Sequence, residues 1–141
     1  MVRICVGAVL LFAAGCTTGG VVLPKTYPAS GTVVYKGGQP MTGGSVQFNS
    51  DSDPLLRMIG TIEKDGQFKL TTMKDDAKAD GAPEGVYRVF VLPPAVGDAR
   101  DKVPAGHKGV LPITLPEPFK LGPHENTIKI ELPTGPPAGK G

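Results

Sequence analysis

No tryptophan occurs in the 141 residues, and there are only five phenylalanines and three tyrosines. A large core anchored mainly on aromatic rings is therefore not expected. Val, Ile and Leu must supply most of the buried area, which suits strands better than helices. Cysteine is nearly as scarce, since Cys5 and Cys16 are the only two. If Cys5 leaves with a signal segment, no internal disulfide is possible and the domain must be held by its core. A charge imbalance is missing too: the formal net charge is +2 and evenly spread, which argues against a nucleic-acid partner. His107 and His124 are the only histidines, and no His-x-x-x-His or Glu-x-x-His spacing sets two ligands on one face. None of Ser30, Ser45, Ser50 and Ser52 lies in Gly-x-Ser-x-Gly. Asp51 with Asp53, and Asp75 with Asp76 and Asp80, offer carboxylates, but neither run carries the Gly and distal Glu of an EF-hand. These read as solvated acidic loops. The expectation is a protein without cofactor, metal or catalytic residues, and not an enzyme.

A long hydrophobic run is also lacking. The longest, Ile4–Ala14, is eleven residues and follows Arg3. That fits the apolar stretch of a secretory signal and is too short to span a bilayer, for which about 18 or more are wanted. The following Ala13-Ala14-Gly15-Cys16 resembles a bacterial lipobox, with Ala13 where such boxes usually carry Leu. The resemblance implies a signal peptide over 1–15 and acylation of Cys16 by diacylglycerol and a fatty acid such as palmitate. The alternative is an ordinary small-residue cleavage site that leaves Cys16 as an unpaired thiol. The lipoprotein reading puts the chain in the cell envelope, exported through the secretory pathway and held on a membrane by its lipid. Residues 16–28, with Gly19-Gly20, Pro24 and Pro28, then read as a lipidated tether.

What is plentiful is glycine and proline, 20 and 15 residues. Most fall between alternating runs, where turns belong. The organising stretch is Arg57–Thr72, two strand-like runs flanking Asp65-Gly66, among the strongest short-range hairpin signals. Met58, Gly60 and Ile62 share one face before the turn, and Phe68 and Leu70 share one after it. Further alternating runs cover Ser30–Lys36, Gly44–Asn49 and Thr127–Leu132, and Val86–Leu92 is apolar on both faces except at Arg88, which predicts a central strand. Met73–Pro83 reads as a solvated loop. Leu111, Ile113 and Leu115 alternate as an edge segment, and Phe119–Leu121 as a short strand. The whole predicts an all-β, antiparallel β-sandwich of about seven short strands over 29–132, with a disordered Pro/Gly-rich tail over 133–141. The predicted core is Val46, Phe48, Ile62, Phe68, Leu70, Val89, Ile128 and Ile130.

Ordered along the chain, Ser30-Gly31-Thr32-Val33-Val34-Tyr35-Lys36-Gly37, Gln39-Pro40, Gly43–Phe48, Gly60-Thr61, Asp65–Phe68 and Pro83–Val89 resemble the carboxypeptidase-regulatory-like domain. That is a small transthyretin-like (prealbumin-like) sandwich common in short bacterial lipoproteins. The resemblance covers about Ala29–Leu132, and from Pro93 onward it rests on Val103-Pro104 and the closing Asn126-Thr127-Ile128. Some transthyretin-like proteins are purine-pathway hydrolases with a Tyr-Arg-Gly-containing C-terminus; this chain ends Pro-Thr-Gly-Pro-Pro-Ala-Gly-Lys-Gly, so that activity is not implied.

Long loops on a rigid scaffold are where binding residues concentrate. The unpatterned Ala95–Pro118 segment, with Ala95, Arg100, Lys102, His107 and Lys108 as candidate binding residues, is therefore the expected working surface together with an adjoining edge strand. The leading expectation is a monomeric, lipid-anchored module with a non-catalytic binding or structural role toward an envelope protein or polymer. The alternatives are a small-ligand or carbohydrate carrier using the same loop, for which only Tyr27, Tyr35, Tyr87 and Phe119 are left to stack on sugars, and a hydrolase or metalloprotein, which would need His107 or His124 beside a carboxylate.

Overall fold

A computed structural model of the chain describes residues 19–94 and 111–135. Ten short strands and no helix occur among them: β1 (Ala29–Val34), β2 (Ser45–Ser50), β3 (Arg57–Thr61), β4 (Gln67–Lys69), β5 (Thr71–Lys74), β6 (Ala77–Asp80), β7 (Gly85–Leu92), β8 (Ile113–Thr114), β9 (Phe119–Leu121) and β10 (Asn126–Glu131). They form two sheets. The smaller runs β10-β1-β4; the larger runs β6-β5-β3-β2-β7-β8, with β9 on the same edge of β7 as β8. The inner faces of the two sheets meet in one core. All eight expected core residues are at most 2% exposed, and Val33, Met41, Met58, Val91, Leu121 and Leu132 join them. The all-β sandwich is thus the fold, with more and shorter strands than the seven expected.

The Asp65-Gly66 turn forms. Glu63 N–H donates to Gln67 O at 2.8 Å, Gly66 N–H donates to Glu63 O at 3.0 Å, and Asp65 Oδ1 accepts from Gln67 N–H at 3.0 Å. Gly66 has φ +83°, where a side chain is strained. The strands on either side do not pair with one another as a simple hairpin. β3 pairs with β2 and β5 in the larger sheet, while β4 pairs with β1 in the smaller. The chain crosses between sheets at Leu70, so β4 and β5 are one extended run that changes layers. Phe68 explains the crossing. Its ring fills the gap between two glycines, one in each sheet: a Cβ at Gly31 would stand 2.7 Å from Phe68 Cζ, and a Cβ at Gly60 would stand 3.1 Å from Phe68 Cδ2. Inward alternation on both sides of the turn is satisfied equally by a flat hairpin and by strands that face each other. Only the second arrangement buries Phe68 between Gly31 and Gly60.

Three further expectations are corrected. Met73–Pro83 is not a solvated loop; β5 and β6 make an antiparallel hairpin around Asp75-Asp76, with Asp75 at φ +48°. Inward Thr72 holds it, donating its hydroxyl to Gly81 O at 2.7 Å while fully buried. β7 is central by pairing but buried on one face only, since Val86 and Arg88 are exposed. The sandwich is not wholly antiparallel: β1 and β10 run parallel, from Ala29↔Asn126 to Val34↔Glu131. They lie nearly a hundred residues apart in the chain, so no turn ties their directions. The ends of the expected tether and tail also touch the sandwich. Tyr27 and Ala82 exchange two backbone hydrogen bonds at 2.9 Å, Leu23 packs on the core, and Lys36 N–H donates to Thr134 O at 3.2 Å.

Candidate functional site

Cys16 and the candidate loop residues Ala95, Arg100, Lys102, His107 and Lys108 lie outside the described residues. What is described is where that loop leaves and rejoins the sandwich. β7 ends at Leu92 before Pro93-Pro94, which cannot donate to a ladder. The returning chain meets β7 at β8, where Ile113 pairs with Val91 and Leu115 N–H donates to Val89 O at 3.0 Å. The alternation of Leu111, Ile113 and Leu115 does mark an edge segment, although Leu111 is exposed. Phe119 in β9 then sets its ring edge-on against core Phe48, centroids 6.1 Å apart.

Of the carboxylates that could offer metal ligands, Asp51 and Asp53 are engaged in ion pairs. Asp53 Oδ2 accepts from Lys74 Nζ at 2.6 Å, and that ammonium holds the Asp53 carboxyl below its ordinary range. Asp51 pairs with Arg88 Nε at 3.0 Å on the surface. Among the described residues no group of three His, Cys, Asp or Glu side chains could hold a metal ion. His124 is exposed with Nδ1 2.8 Å from Glu125 O, and it is partnered by no carboxylate or serine among the described contacts. Of the four aromatics considered for sugar stacking, Tyr35 and Tyr87 are buried. Tyr87 donates to the carbonyls of Pro83 and Glu84 at 3.1 and 3.2 Å, and burial, with nearby Glu84, pushes its phenol up. Tyr27 is half-buried with Lys25 Nζ 5.2 Å from its ring centroid.

Two grooves of the described surface lie beside the edge strands of the smaller sheet, and a third, about 470 Å³, lies between the start of β1 and the β4–β5 crossing. The larger of the two, about 600 Å³, lies where β3 and β4 part on their way to different sheets; Ile59, Met73, Lys69 and Lys78 line it, with Glu63 and Asp65 at the turn. The second, about 420 Å³, lies on the opposite side of the sandwich, between the Leu115–Lys120 strip and the edge of β10. One of its walls belongs to the segment already expected to bear the working surface. The other wall, Lys129 to Glu131 on β10, was missed. Strand order decides which strand ends as an edge, and no local pattern in Thr127–Leu132 states it. Neither groove presents an exposed aromatic pair. Both carry charges of both signs.

Comparison with family models, with curated proteins and with solved structures finds no match.

Proposed function

We propose that the chain is a lipid-anchored module of the cell envelope, acylated at Cys16, whose sandwich is of the carboxypeptidase-regulatory-like kind and works by binding or scaffolding without chemistry. The observation that carries this reading is the order of features: a basic start, an apolar run too short to span a bilayer, Ala13-Ala14-Gly15-Cys16, and then a sandwich with no disulfide to close it. A lipid on Cys16 and the short stretch to Ala29 confine a rigid domain to the membrane surface. That raises its effective concentration toward anything else held there, so weak recognition suffices. The working surface is the end of the sandwich that bears the Ala95–Pro118 segment and the edge strand beside it.

The test is to express Cys16→Ala and follow the chain by membrane fractionation and labelled palmitate. Loss of label and release into the soluble fraction are expected, because acyl chains hold far more firmly than a near-neutral surface does. Continued membrane association of that variant at high salt overturns the anchoring.

A further inference from the structure

The second groove has one wall that is a bare strand edge. Asn126 N–H donates to Pro28 O and Leu132 N–H to Val34 O, each at 2.8 Å, across the parallel β1–β10 ladder. Backbone groups in a strand alternate sides, so the even positions of β10 point at β1. The odd positions, Thr127, Lys129 and Glu131, turn their N–H and C=O groups away from β1, and among the described residues no strand pairs with them. Their side chains are exposed, while Ile128 and Ile130 anchor the strand in the core. A well-anchored edge of this kind is a template for one more strand.

The opposite wall carries Pro116 and Pro118, which cannot supply a full ladder of donors and so do not close the edge themselves. Charge is arranged alike on both walls. Counting outward from the turn at Gly122–Glu125, β10 meets Lys129 before Glu131, and the facing strip meets Lys120 before Glu117. The groove therefore runs from a basic end to an acidic end. Lys129 and Glu131 are two residues apart, a spacing of about 6.8 Å on one face of a strand.

We infer that β10 takes up an extended peptide as an added antiparallel strand, and that the peptide carries a basic and an acidic residue two positions apart, in the order basic-x-acidic. In antiparallel register the acidic residue then stands opposite Lys129 and the basic one opposite Glu131, both at positions that exchange two backbone hydrogen bonds with β10. Main-chain bonds supply affinity, and the charge pairs set direction and register. This rests on the reading of the sandwich as a binding module and names the chemistry of its partner.

The experiment titrates the purified full chain into a fluorescent peptide, Thr-Val-Lys-Val-Glu-Val-Thr, and reads anisotropy. Saturable binding is expected, several-fold weaker for Lys129→Glu or Glu131→Lys. The double variant Lys129→Glu/Glu131→Lys is expected to prefer the peptide with Lys and Glu exchanged. N-methylation of the Lys and Glu of the peptide, which removes the donors facing β10, is expected to abolish binding. Thermal unfolding of the variants should be unchanged because both side chains are exposed. No saturable binding, binding indifferent to charge order, or equal binding of the N-methylated peptide overturns the inference. So does a dimer of the chain that the peptide fails to displace, since the edge then belongs to a second copy. None of these outcomes touches the Cys16→Ala result, so failure of strand addition and failure of anchoring are distinguishable.

Discussion

Two chain reversals, ten residues apart, make an instructive pair. Asp65-Gly66 has the strongest turn chemistry in the sequence, yet the strands beside it separate into different sheets. Asp75-Asp76 has none of the preferred turn glycine, and Asp75 must accept φ +48°, yet β5 and β6 form a regular hairpin around it. Turn residues decide where the chain reverses. Which strands then pair is decided by where their apolar faces can be covered. After Asp65-Gly66 the next inward residues are Phe68 and Leu70, which need a layer opposite Met58, Gly60 and Ile62. After Asp75-Asp76 the next residues are Ala77, Lys78, Ala79 and Asp80, which need no second layer and can close an edge with charges exposed.

The largest break in this contrast comes at the ring that separates the first pair of strands. Phe68→Ala should cost about 3–5 kcal/mol, because the cavity between Gly31 and Gly60 cannot close. Met73→Ala, on the exposed face of β5, should cost less than about 1 kcal/mol; chemical denaturation of both variants compares them directly. Equal losses would mean that Phe68 does not hold the crossing. Next is Thr72, the buried tie of the second hairpin. Thr72→Val leaves Gly81 O without its donor in a dry site and should cost about 1–3 kcal/mol, read as a lowered denaturation midpoint.

The turns themselves come third. Gly66→Ala forces a side chain to φ +83° with Val33 O 2.8 Å from its Cβ, so it should destabilise by roughly 1–2 kcal/mol. Asp75→Gly relieves a positive φ but gains unfolded-state entropy, and these offset to within about 0.5 kcal/mol. Thermal melts showing both substitutions equally harmful would erase the distinction drawn between the turns. The smallest effect belongs to the tie between β5 and the Asp51–Asp53 loop. Asp53 has a depressed folded-state pKa, so its pairing with Lys74 stabilises above the unfolded carboxylate pKa and is lost as pH falls through the folded one. The difference in midpoint between the native chain and Lys74→Met should be present at pH 7 and shrink as pH falls below the ordinary carboxylate range. A difference independent of pH would assign the effect to lost packing of the Lys74 stem.

Much of the sandwich was legible because inward alternation is a local property. Val46 and Phe48, or Ile128 and Ile130, declare a buried face whatever lies opposite. Met73–Pro83 was not legible for the same reason: Ala77-Lys78-Ala79-Asp80 has no apolar face, so pairing with β5 rather than patterning makes it a strand. The candidate site divides in the same way. The irregular, proline-rich segment that borders the second groove stands out in the sequence. The free edge of β10 does not, because an edge is a statement about neighbours.

The sequence by itself determined the layer each residue seeks: which side chains face inward and where the chain turns. Those follow from side-chain hydrophobicity and from glycine and proline geometry, all readable one position at a time. Only the tertiary structure decided that β3 and β4 part around Phe68, that the first and last strands run parallel, and that Lys129 and Glu131 lie on an edge that no strand among the described residues pairs, across a groove from Lys120 and Glu117. These depend on contacts between residues distant in the chain, where several pairings bury the same faces and the packing of one ring selects among them.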